Sequence, residues 1–156
     1  MRVLFLSLDA LVGTGGIQRF NRRLIRSLGE LCAKGMIGRA VSLSLWDPPG
    51  TPCSYGVRHL GFGRDKAAFV RGLATELMRE APDVILLGHI LLLRLLPAVK
   101  LIRPRAKQAV IVHGTEVWGD TRFRRIPWFE RCLVKCLHGV ISVSRITAIH
   151  MASAYG

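Results

Sequence analysis

Glycines at positions 13, 15 and 16, followed closely by Arg19, Arg22, Arg23 and Arg26, are the residues of this chain best suited to chemistry. Gly13-Thr14-Gly15-Gly16 follows the apolar run Val3–Leu8. It opens a segment in which Ile17, Phe20, Leu24, Leu28 and Leu31 recur at steps of three or four, the period of a helix with one apolar face. A strand, a glycine turn and a helix aim bare backbone N–H groups and a helix N-terminus at an anion. Glycine allows close approach of a phosphate and supplies positive φ where a turn needs it. The stretch reads as a phosphate- or sugar-binding loop, with a plain chain reversal as the alternative. It is not the dinucleotide fingerprint, because Gln18 stands where the last glycine of G-x-G-x-x-G belongs, and no Gly-Lys-Ser/Thr makes it a Walker loop.

Other candidates sit at the ends of apolar runs. Gln108–Val112 leads to His113-Gly114-Thr115-Glu116, and Val84–Leu87 leads to Gly88-His89. Gly139–Val143 leads to Ser144 and Arg145. Glu116 is suited either to orienting a hydroxyl or to capping its loop. Trp118, Trp128 and Phe129 suit an apolar ledge or ordinary packing. His59, His138 and His150 have no neighbours in sequence that suggest a role. Asp47 follows the second strand, where a dinucleotide fold keeps its ribose-binding acid, but Gln18 and the Pro48-Pro49 loop argue against that use.

The elements that must position these residues alternate. Strands are predicted at 3–8, 40–46, 57–62, 84–87, 108–112 and 139–143. Helices are predicted at 17–31, 66–80 (capped by Asp65), 91–102, 127–137 and from 144 onward. Continuous apolar strands alternating with helices specify an α/β, doubly wound, Rossmann-like parallel sheet in a single domain, 1–156. Ligands of such sheets bind beyond the strand carboxyl ends where the strand order switches. The Gly13–Gly16 loop, His89, His113-Gly114 and Ser142–Arg145 should therefore share one crevice.

Composition narrows the options further. The chain has 156 residues, is 50% apolar and carries a formal charge of +13; its mean hydropathy is +0.32. The most apolar region, 84–102, contains His89, Arg94, Pro97 and Lys100, which suits a strand and a half-buried helix rather than a membrane span. Val3–Leu8 is too short for a secretory leader. These features predict a cytoplasmic protein, peripheral at most to the inner face of a membrane. The charge favours anionic surfaces or phosphorylated substrates, and Arg19, Arg22, Arg23 and Arg26 are expected on one flank of the first helix, opposite Phe20. Cys32, Cys53, Cys132 and Cys136 lack a metal-ligand spacing and read as buried free thiols.

In order along the chain, these residues resemble the amino-terminal domain of a family 4 type retaining glycosyltransferase, one half of a GT-B fold. The likeness rests on Gly15-Gly16-Ile17-Gln18-Arg19, Pro82-Asp83-Val84-Ile85, His113-Gly114-Thr115-Glu116 with Trp118, and Gly139–Ser144-Arg145. It implies sugar transfer from a nucleotide-sugar, which is a substrate, without a cofactor or bound metal. The acceptor would be a sugar or a lipid-linked molecule. His113 would be the catalytic contact near the reacting centre, and Gly15, Gly16, Gln18, Arg19, His89, Gly114, Glu116, Ser144 and Arg145 would bind substrate. It also implies a carboxyl-terminal, donor-binding domain beyond Gly156, without which the chain is expected to be inactive. The competing expectations are a complete nucleotide- or NAD-binding module and a basic protein that binds anionic surfaces, nucleic acid being the weakest partner.

Overall fold

A computed structural model describes residues 1–114 and 127–156. Six strands, β1 (Arg2–Ser7), β2 (Arg39–Ser44), β3 (Arg58–Gly61), β4 (Val84–Leu87), β5 (Lys107–Val112) and β6 (Gly139–Ser142), form one parallel sheet in the order β3-β2-β1-β4-β5-β6. The helices are α1 (Gly16–Ala33), α2 (Lys66–Glu80), α3 (Leu96–Ile102), α4 (Trp128–Lys135) and α5 (Arg145–Tyr155). The strand order reverses between β1 and β4, so the crevice predicted for a doubly wound sheet opens beyond the carboxyl ends of those two strands.

Alternation along β1 divides the core into two layers. Leu4 and Leu6 pack with Phe69, Leu73 and Leu77 of α2 and with Leu93 and Val99, whereas Val3 and Phe5 pack with Ile25 and Leu28 of α1. Successive strand side chains point to opposite faces, and Leu4, Phe5 and Leu6 are all fully buried. Burial of that kind contributes roughly 1.5–3 kcal/mol per side chain, which anchors β1 at the centre of the sheet.

The apolar stretch expected as one helix over 91–102 is two elements, a 3-10 helix (Ile90–Leu95) running into α3. Pro97 occupies the first turn of α3, where its missing N–H costs nothing. Helix α1 buries Asn21, Ile25, Leu28 and Gly29 rather than the full Ile17-Phe20-Leu24 stripe. At Gly29 the Tyr55 carbonyl lies where a Cβ would stand, so the segment through Tyr55 crosses the helix in close contact there. All four cysteines are free thiols, but Cys132 and Cys136 are exposed, correcting the expectation of burial. No helix among the described residues is long and apolar enough to cross a membrane.

Gly88 is the tightest point at the β1–β4 seam. Its N–H donates to the Leu6 carbonyl at 2.7 Å, and a Cβ there would sit 2.7 Å from the Phe5 ring and 2.8 Å from the Leu6 oxygen. Gly88→Ala is expected to cost about 1–3 kcal/mol through overpacking. Thermal melts check this, at about 2–4 °C of Tm for each kcal/mol; an unchanged Tm would show that the seam has room.

Candidate functional site

The chain leaves β1 through residues 8–15 and enters α1 at Gly16. Every turn of this loop is tied to a side chain elsewhere. Asp47, just beyond β2 and 1% exposed, accepts backbone N–H bonds from Ala10 (3.1 Å) and Leu11 (2.9 Å) on Oδ2, and from Val12 (3.3 Å) on Oδ1. His59 Nε2 lies 3.2 Å from the same Oδ2. The Nδ1 of His59 is 3.2 Å from the Ser42 hydroxyl. From α1, Gln18 Nε2 donates to Asp9 (2.7 Å) and Asn21 to the Asp9 carbonyl (2.8 Å). Arg22 donates to the carbonyls of Leu11 (3.2 Å) and Gly13 (2.9 Å).

Burial alone would raise the pKa of Asp47. The His59 contact, the Leu11 and Val12 N–H groups and the Ser44 hydroxyl outweigh it and lower the value from 3.8 to about 2. Asp47 is thus a structural anion that sets the loop.

Gly15 has φ 164 and ψ 177, an extended backbone open to any residue, so the glycines at 15 and 16 do not serve a left-handed turn. Their roles differ. A Cβ on Gly15 would collide with the Gln18 side chain, whereas one on Gly16 would meet nothing within 4 Å. No side chain caps the start of α1 and no acid lies in its first turn, so the first-turn N–H groups face outward with the positive end of the helix dipole.

Gly16 borders an open groove of about 460 Å³, lined also by Ile17, Arg19, Phe20, Arg23, His113 and Val143. It lies beyond the strand ends, with α1 as one wall and the exits of β5 and β6 as the other. His113 stands edge-on to Phe20 with ring centroids 5.1 Å apart. Its Nε2 is 3.0 Å from the Gly88 carbonyl; because a carbonyl only accepts, that nitrogen carries the proton. Gly114 has φ 136, a conformation that favours glycine.

Of the residues the sequence nominated, Gly16, Arg19 and His113 line this groove, with Gly114 next to it in the chain. Gln18 is engaged with Asp9. His89 accepts from the Leu91 N–H at 3.1 Å and caps the 3-10 helix. Ser144 caps α5 by accepting from the Thr147 N–H at 3.1 Å. Arg145 is exposed and does not line the groove. Trp128 is 77% exposed and packs edge-on to Phe129 rather than lining the groove. Glu116 and Trp118 lie outside the described residues.

The four arginines of α1 have different partners. Arg22 holds the loop, Arg26 pairs with Glu30 at 2.9 Å, and Arg19 and Arg23, one turn apart, line the groove beside Phe20. His59 is not incidental either, since it is the buried partner of Asp47. That pair spans strands adjacent only in the folded sheet, and no local pattern marks it.

No family profile and no curated protein sequence matches the chain. Among solved structures, its fold matches the apo form of the lipopolysaccharide outer core galactosyltransferase WaaB. The TM-score is 0.63 at 10% identity, over 99% of this chain and 42% of that one. The likeness is one of fold, a Rossmann-like half of a GT-B architecture, and the chain spans less than half the length of that transferase.

Asp47 generates a pH prediction. A folded-state pKa below the unfolded value contributes stability that is present above pH 3.8 and is lost as pH falls toward 2. Asp47→Asn should cost on the order of 2 kcal/mol near neutral pH and remove that part of the acid transition. Denaturant melts at pH 7, 4 and 2.5 check it; parallel pH profiles for the two proteins would contradict the assignment.

Proposed function

We propose that residues 1–156 are the acceptor-side half of a glycosyltransferase that moves a sugar from a nucleotide-sugar to an acceptor hydroxyl, with retention at the anomeric carbon as in family 4 enzymes. The observation that carries this reading is the groove between the start of α1 and the exits of β5 and β6, where Gly16 leaves the start of α1 bare and Arg19, Arg23 and His113 converge. The shared fold with a galactosyltransferase supports it.

In this reaction the bond from the anomeric carbon to the diphosphate oxygen breaks, a bond to the acceptor oxygen forms, and the acceptor proton passes to the departing diphosphate. Charge grows on that diphosphate. The first-turn N–H groups of α1 and the two guanidinium groups are fixed positive ends near such a charge, and preorganised donors of this kind lower barriers strongly. His113, held by Gly88 and Phe20, forms the wall against the sugar. Recognition of the nucleotide falls outside these residues on this reading, and a second domain supplies it.

A dinucleotide-binding module is disfavoured by one contact set. The acid that would bind a ribose, Asp47, is buried under the loop and already accepts bonds from Ala10, Leu11 and Val12.

Because a Cβ at Gly16 enters open space, Gly16→Val fills the groove without disturbing the fold. In the intact polypeptide it should lower sugar transfer at least about tenfold, equivalent to 1.4 kcal/mol, with Tm unchanged. His113→Ala and the pair Arg19→Ala with Arg23→Ala should act in the same direction. Full turnover by Gly16→Val would overturn the site assignment.

A further inference from the structure

A second groove, of about 400 Å³, opens at the same sheet edge but on the α2 face. Leu8 and Trp46 from the strand exits, Phe69 and Val70 from α2, and Leu91 and Leu95 from the 3-10 helix form its apolar walls. Three of them are well exposed: Trp46 at 42%, Val70 at 48% and Leu91 at 41%. Contiguous apolar surface left in water marks a contact site.

Cationic side chains predominate around it. Lys66 and Arg94 line the groove, and the Arg64 guanidinium lies 5.8 Å over the Trp46 ring. The neighbouring acids are engaged. Asp65 caps α2 through the Ala68 N–H at 2.9 Å, and buried Glu130 lies 4.0 Å from Arg94. An apolar trough with a cationic mouth matches an amphiphile that has a hydrocarbon chain and an anionic head.

We propose that this groove takes the chain of an anionic lipid, whose phosphate meets Lys66, Arg94 and Arg64. Leu8 leads into the Asp47-held loop, and Leu91 follows His89 at the exit of β4, so the groove borders the β1–β4 switch point. There it would present a lipid-linked acceptor to the α1 groove. That last link rests on the glycosyltransferase reading, whereas lipid binding does not. Self-docking of this face is opposed by its cationic mouth and by the net charge of +13.

The test uses the 156-residue chain with phosphatidylglycerol vesicles, phosphatidylcholine vesicles, and dodecyl phosphate below its micelle concentration, followed by co-sedimentation and tryptophan fluorescence. The chain should sediment with the anionic vesicles and bind dodecyl phosphate saturably, while inorganic phosphate gives no change. Val70→Asp and Leu91→Asp, both at exposed positions, should each weaken binding at least tenfold at unchanged Tm. The pair Lys66→Glu with Arg94→Glu should abolish the preference for anionic over neutral vesicles. Undiminished binding by both apolar variants would mean that the overall charge alone drives adsorption, and would overturn the proposal. Failure to bind dodecyl phosphate, or a dimer that either apolar variant dissociates, would overturn it as well. Should Gly16→Val keep full sugar transfer while the lipid results hold, the catalytic reading falls and the lipid site stands; the reverse outcome keeps transfer and moves the acceptor elsewhere.

Discussion

The carboxylate of Asp47 is the fixed point on which the site depends. A loop of backbone between a buried strand and a helix must satisfy its N–H groups somewhere, and a buried unpaired one costs roughly 1–3 kcal/mol. Here one anion just beyond β2 satisfies the N–H groups of Ala10, Leu11 and Val12, and His59 of β3 lies 3.2 Å from it. The loop after β1, the exit of β2 and β3 are thereby joined through one carboxylate. With residues 10–12 occupied inward, the unoccupied donors are left further along, at the start of α1, where Gly16 keeps the backbone uncovered.

That division of labour extends to α1. Helical spacing puts Arg22 and Arg26 on one ridge and Arg19 and Arg23 on another. The first ridge is used within the fold, by the carbonyls of Leu11 and Gly13 and by Glu30. The second is left in the groove beside Phe20 and His113. The two faces of the sheet then differ in character at the same edge, with a polar, cationic groove on the α1 side and an apolar trough with a cationic rim on the α2 side. Because β1 runs between them, its buried Leu4, Phe5 and Leu6 determine the spacing of both.

The architecture was legible because its signals are local and periodic. Apolar strands such as Val84–Leu87 and Gln108–Val112, and the alternating helices, were enough to specify a parallel doubly wound sheet and to bring Gly16, Arg19 and His113 to one edge. The missed features depend on contacts distant in sequence. Asp47 and His59 serve a loop that starts 36 residues or more before them, and nothing in their own neighbourhoods shows it. Phe20 packs against the α1-side core as its helical period requires, but its second contact, with the His113 ring, carries no periodic signal. The split at Leu95-Leu96 was hidden because a uniformly leucine-rich stretch carries no phase to distinguish a 3-10 turn from an α-helix. His89 and Ser144 occupy the expected strand exits, but their side chains are used as helix caps, a use that spacing from the strands does not reveal.

The central claim, that the bare start of α1 with Arg19 and Arg23 is a site for a phosphate-bearing ligand, is tested most directly by amide chemical shifts of the isotope-labelled chain titrated with inorganic pyrophosphate. The account predicts saturable shifts centred on Gly16, Ile17 and Gln18 that vanish in the Arg19→Ala, Arg23→Ala double variant while the shifts of Ala10–Val12 stay put. Shifts that never saturate, or that centre on another basic patch such as Arg103–Lys107, would contradict it.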